Sequence, residues 1–224
     1  MAKKKESTLI NMLVALLVIA AVSGGVLGLV YGVTKDTIAE VDQKKNEAAI
    51  KAVLPLENVT YKADTMQFTY EGVNTTFPCN LAFDANGNFQ GAAVKTSEGG
   101  FGGKIDMMVG FLADGTIKGT SVLSHAETPG LGANMTGKFK DQFVDKNPND
   151  FKLIVKKDGG DVDAITAATI TSRAFSKAVD KAYQAFMANK AQFMNNAPAV
   201  EEAPIMEEAP AEENNETEGG QSNE

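Results

Sequence analysis

The chain has 224 residues, 43% of them hydrophobic, which leaves room for one ordinary globular domain and its appendages. Its formal charge of -8 is local: residues 201–224 hold nine acidic side chains and no Lys or Arg, so the first 200 carry 21 basic against 20 acidic groups. No clustered basic face points to nucleic acid, and one Cys with one His excludes an intrachain disulfide, a four-thiolate iron-sulfur cluster and a cysteine-built zinc site. A bound metal is not expected, and any redox centre would be organic.

Lys3, Lys4 and Lys5 precede 25 uncharged residues, Leu9 to Val33, that are rich in Leu, Val and Ile. About 20 apolar helical residues cross a bilayer, so residues 9–33 are predicted as a transmembrane helix. The positive-inside rule then keeps residues 1–8 in the cytoplasm and places the rest on the extracytoplasmic, periplasmic side of the inner membrane. The competing reading is a signal peptide cleaved near Ala21-Val22-Ser23, but apolar sequence continues ten positions beyond it, more than a signal peptide needs. Cys79 lies too far downstream for a lipoprotein anchor. Residues 34–60 read as an amphipathic linker helix: Ile38, Val41, Ala48, Ala49, Ala52 and Val53 recur among charged residues, and Pro55 ends the run.

From residue 61 the period changes to two. Met66 to Tyr70 and Val73 to Phe77 are predicted strands about a turn at Glu71-Gly72. Leu81 to Phe83 leads into Ala85-Asn86-Gly87-Asn88, a hairpin signal, and Phe89 to Val94 returns. Cys79 reads as a small buried residue. Ile105 to Leu112 and Thr116 to Leu123 form another pair about Ala113-Asp114-Gly115. The stretch between, Glu98-Gly99-Gly100-Phe101-Gly102-Gly103-Lys104, lacks the context of a dinucleotide loop and the G-K-[ST] of a P-loop. It is either a hairpin connection or a backbone held close to a flat ligand. Strands followed by a terminal helix indicate an α+β domain with an antiparallel sheet and flanking helices.

Next comes His125-Ala126-Glu127-Thr128-Pro129-Gly130-Leu131-Gly132. Pro129 and Gly130 suit the two central positions of a tight turn, which makes Leu131 project from it. Residues 137–144 suggest a short amphipathic helix, Phe151 to Val155 a strand, and Lys156 to Gly160 a turn. The stretch from Asp163 to Ser172, D-A-I-T-A-A-T-I-T-S, then opens a periodic helix whose core positions are Phe175, Ala178, Val179, Ala182 and Phe186. A helix start near Ile170 offers free backbone N–H groups and a positive dipole end beside the hydroxyls of Thr166, Thr169 and Thr171, a setting that suits a phosphate. Ala167 and Ala168 leave space for a bulky group, although an ordinary N-cap explains a Thr-rich start equally well.

The pattern Asp163-x-x-Thr166-Ala167-Ala168-Thr169 resembles the flavinylation motif of the FMN-binding domain family, found in the G subunit of Rnf-type ion-translocating electron transport complexes and the C subunit of sodium-translocating NADH:quinone reductases. The E-T-P-G-L-G string resembles the family's loop near the flavin, and His125 ahead of it is closer to the Rnf-type member. The family often has Gly where this chain has Ala167. The resemblance implies FMN joined through its phosphate to the Thr169 hydroxyl by a flavin transferase that recognises Asp163. It further implies cofactor contacts from Glu127, Thr128, Gly130, Leu131, Thr166, Ala167 and Ala168. Residues 61–190 would form this domain. Residues 191–224 would be an acidic disordered tail, too poor in apolar surface to fold. The implied role is a redox-carrier subunit with no independent catalytic activity, in a complex with other membrane subunits that couples electron transfer from ferredoxin to NAD with ion movement. The alternatives are the corresponding quinone reductase component and a non-redox membrane-anchored interaction module.

Overall fold

The computed structural model describes residues 9–195. A single helix, α1 (Leu9–Val53), runs through both the apolar span and most of the linker. Its 45 residues rise about 68 Å at ~1.5 Å each. The apolar window has a mean hydropathy of 2.7 and none of it is covered by the rest of the protein, so by length and composition α1 can cross a membrane. The linker helix ends at Val53, just before Pro55 as expected; the rest of the 34–60 segment is not helical, since the chain bends at Glu57 and Asn58 and enters the first strand at Val59.

Five strands follow: β1 (Val59–Tyr70), β2 (Val73–Asp84), β3 (Phe89–Gly99), β4 (Lys104–Leu112) and β5 (Ile117–Ser124). They form one antiparallel meander in the order β1-β2-β3-β4-β5. The β1–β2 turn has Glu71 at φ 48° and Gly72 at φ 82°, the two left-handed residues that match a hairpin's twist. At the next turn, Asp84 Oδ1 accepts the N–H groups of Asn86 (2.9 Å) and Asn88 (2.8 Å), which fixes the Asn-Gly hairpin. The two short strands expected between Val73 and Phe83 are one strand, continuous through the exposed Pro78.

The central strands are buried on both faces. Phe77, Leu81, Val94, Met107, Val109 and Phe111 point to a large core completed by α2 (Thr169–Asn195) through Phe175, Val179 and Phe186. Phe111 and Phe186 stack at 5.2 Å there. The opposite residues, Ala82, Ala93 and Met108, meet Ala49, Ile50, Val53 and Leu54 in a second, smaller core. Cys79 lies in the large core, where burial pushes its thiol up to about 12.

Between β5 and α2 the chain makes short 3-10 helices at Gly132–Thr136, Lys138–Phe143 and Lys156–Asp158. The strand expected at Phe151 to Val155 does not form. Leu153 and Val155 bury their side chains in the large core, but backbone pairing is limited to an isolated bridge from Val155 to Val162. The tail boundary at 191 also moves: α2 continues to Asn195, and Phe193 packs against Phe89 with centroids 6.0 Å apart. Residues 1–8 and 196–224, with the N-terminal and remaining tail assignments, lie outside the described residues.

Candidate functional site

Three segments that are far apart in sequence meet at the start of α2. They line one cavity of about 390 Å³: Phe101 from the β3–β4 loop; Glu127, Thr128, Leu131 and Gly132 from the segment after β5; and Ala167, Ala168, Thr169, Ile170 and Thr171 from the first turn of α2 and its lead-in. That volume lies within the range of small-molecule sites, roughly 300–1,000 Å³.

Glu127 holds these segments together. It is 5% exposed, and each carboxylate oxygen has a defined donor. The Gly102 N–H donates to Oε1 at 2.9 Å, and the Thr171 hydroxyl donates to Oε2 at 2.6 Å. Glu127 thus ties the glycine loop through one oxygen to α2 through the other. This contact also explains the glycines. A Cβ at Gly100 or Gly132 would strike the Glu127 carboxylate, and one at Gly102 would strike the Ala126 carbonyl. The cluster forms the connection between β3 and β4, with its backbone packed closely against Glu127 and Ala126.

The Pro-Gly turn forms as expected. The Leu131 N–H donates to the Thr128 carbonyl at 3.2 Å, Gly130 takes φ 77°, and Leu131 stands exposed at the cavity mouth. His125 is exposed, and its Nδ1 accepts the Glu127 N–H at 3.2 Å, so it braces the turn into Glu127.

On the α2 side, Ala167 has φ 60°, a left-handed conformation that L side chains adopt at a cost. The Gly common in the family at this position would take it freely. Ser172, which the sequence analysis did not single out, locks this turn: its hydroxyl accepts the Ile165 N–H and donates to the Ala168 carbonyl, both at 2.9 Å. The helix begins at Thr169, with no acidic residue of its own in the first turn; the carboxylate at this helix start is that of Glu127, which accepts the Thr171 hydroxyl. Thr169 itself is half-buried on the lining.

Of the residues expected to touch the cofactor, Gly130 and Thr166 do not line the cavity; neither does Asp163, which was expected to serve transferase recognition instead. Gly130 serves the turn. Asp163 lies outside, paired with Lys156 at 2.8 Å, its backbone N–H held by Gln142 Oε1 at 2.8 Å. The structure adds Phe101 and Ile170, 71% and 51% exposed at the rim; both lie in stretches already singled out, but not as contacts, because their meeting depends on loops converging in space.

Residues 100–184 match the FMN-binding domain family. The G subunit of an ion-translocating oxidoreductase complex from Aliivibrio fischeri is 36% identical over 190 residues, covering 80% of this chain and 88% of the relative. The G subunit of the Na(+)-translocating ferredoxin:NAD(+) oxidoreductase complex of Acetobacterium woodii is 35% identical over 184 residues, covering 76% and 88%. The chain belongs to the G-subunit family of ion-translocating oxidoreductase complexes. In this family member, α1 is the helix of a single-pass membrane protein. Among solved structures, the C subunit of the Na(+)-translocating NADH-quinone reductase from Parabacteroides distasonis is similar at 18% identity, with a TM-score of 0.48 over 71% of this chain and 97% of that one.

Proposed function

We propose that this protein is a membrane-anchored electron carrier with FMN held as a phosphoester on Thr169, working with other membrane subunits in a complex that couples ferredoxin:NAD electron transfer to ion translocation. The observation that carries the reading is the convergence of both family motifs on one cavity whose lining presents the Thr169 hydroxyl at the start of α2. FMN supplies a redox centre that takes up and gives up electrons.

The residues fit that group. The first-turn amides and dipole of α2 favour the phosphate charge that remains after esterification. Phe101, Leu131 and Ile170 offer apolar surface for a flat ring system, and Thr128 offers a hydroxyl at the same mouth. A covalent tether keeps the carrier bound in every oxidation state. Asp163, exposed beside the motif, is the residue a flavin transferase would read. By the charge rule for Lys3, Lys4 and Lys5, the domain lies on the extracytoplasmic side. The relatives at 32–36% identity are named as G subunits, which favours this reading over the sister quinone reductase component.

The test is in-gel fluorescence under ultraviolet light after denaturing electrophoresis of protein co-expressed with its transferase. Wild type is expected to give a fluorescent band and Thr169→Ala none, with both proteins equally folded by circular dichroism. A dark wild-type band, or a fluorescent Thr169→Ala band, refutes the attachment.

A further inference from the structure

Residues 163–168 lead from the isolated bridge at Val162 into α2 without forming helix or strand. Two side chains hold them instead. At the Thr169 end, Ser172 fixes the turn through Ile165 and Ala168. At the other end, Gln142 grips both main-chain groups of Asp163 across a separation of 21 residues. Its Oε1 accepts the Asp163 N–H at 2.8 Å, and its Nε2 donates to the Asp163 carbonyl at 3.1 Å.

The neighbours of this amide dictate which way it points. Nε2 also donates to the Phe139 carbonyl at 3.2 Å, so a flipped amide would set its oxygen against two carbonyls and its NH2 group against an N–H. The grip has a firm base as well. Gln142 is half-buried on the 3-10 helix Lys138–Phe143, whose Phe139 and Phe143 rings pack on Phe175 of α2 at centroid distances of 5.2 and 5.1 Å. Gln142 and the helix that begins at Thr169 therefore rest on the same block of core.

The Asp163 side chain is held far more loosely than its backbone. Its carboxylate pairs at 2.8 Å with Lys156, both side chains being more than half exposed, and a surface pair of this kind is weak and screened by salt. A fixed backbone thus presents a carboxylate that can exchange its partner.

Formation of a phosphoester from FMN and an alcohol requires an activated donor, a phosphoanhydride such as a flavin dinucleotide. The Thr169 oxygen bonds to the FMN phosphorus, the anhydride bond breaks, the hydroxyl proton is lost and a nucleoside monophosphate leaves, with no change of redox state. An enzyme that reads Asp163 while acting on Thr169 gains from a preset separation of the two, because ordering and aligning reactants is a large part of such a barrier.

We propose that Gln142 is the positioning residue for flavin attachment: it holds the Asp163 backbone so that the carboxylate stands at a set distance from the Thr169 hydroxyl. This rests on the reading of Thr169 and Asp163 given above, and it assigns a role to a residue outside both motifs.

The test measures initial labelling rates of the full-length protein in detergent, prepared without flavin and supplied with transferase and a flavin dinucleotide. Gln142→Met keeps the length of the side chain and loses all three hydrogen bonds. Its kcat/KM is expected to fall about tenfold, chiefly through KM, because the loosened segment must be ordered on binding. In an Asp163→Asn background the same change should cause no further fall, the non-additivity of residues that act as a unit. Hydrogen exchange of the unlabelled protein should quicken severalfold at Asp163 and Ala164 and stay unchanged along α2. A wild type that takes no label would overturn the attachment reading and this proposal with it. With wild type labelled, a Gln142→Met protein labelled at the wild-type kcat/KM, losses that multiply in the double variant, or faster exchange along α2 would each overturn the role of Gln142 alone.

Discussion

The two faces of the sheet are built by opposite means. Under α2 lies a thick core of large side chains, in which Phe111, Phe186, Phe139, Phe143 and Phe175 pack ring against ring. Under the end of α1 the contact is thin: Ala82, Ala93, Gly110 and Gly119 remove side chains so that the backbone of Val53 can approach the strands closely. The first arrangement fixes where α2 begins, and with it the cavity. The second seats the domain directly on the membrane helix. Volume secures the site, whereas lack of volume secures the mount.

Truncating the thick face should have the largest effect. Phe186→Ala removes a fully buried ring and is expected to cost about 3–5 kcal/mol, read from the denaturant midpoint, with flavin incorporation falling alongside. The thin face should fail differently. Gly110→Val places carbon against the Val53 carbonyl, an overpacking cost of about 1–3 kcal/mol. Its signature is faster proteolysis near residues 54–58 with the Thr169 adduct retained. If Gly110→Val abolished flavin as Phe186→Ala does, the division between the two faces would be wrong.

Glu127→Gln tests the tie between the large-core side and the loops. One amide oxygen cannot replace two carboxylate acceptors, and a buried donor left unsatisfied costs about 1–3 kcal/mol. The expected readout is a lower melting temperature together with reduced flavin loading. Ala167→Gly should have the smallest effect and the opposite sign. Relief of the left-handed strain, about 1–2 kcal/mol, is partly offset by the greater freedom of Gly in the unfolded chain, about 0.5–1 kcal/mol. A slightly higher melting temperature with undiminished flavin incorporation is expected, and a loss of incorporation would assign the Ala167 methyl a role in the transferase fit.

Much of this was readable before any coordinates. The charge-free run from Leu9 to Val33, the Asn-Gly and Pro-Gly turns, and the core positions of α2 from Phe175 to Phe186 are local patterns, and local sterics and periodicity decide them. What the chain alone left undecided depended on contacts between distant residues. Phe151 to Val155 alternates like a strand, but its apolar side chains found the large core without a neighbouring strand to pair with. That the glycines at 100 and 102 lie against Glu127 and Ala126 was not written in the cluster itself. Sequence determined the anchor, the antiparallel class and the start of α2, because each follows from hydrophobic period or turn chemistry within a few residues. Tertiary structure decided the cavity, since Glu127 meets Gly102 and Thr171 across separations of 25 and 44 residues that no local pattern encodes.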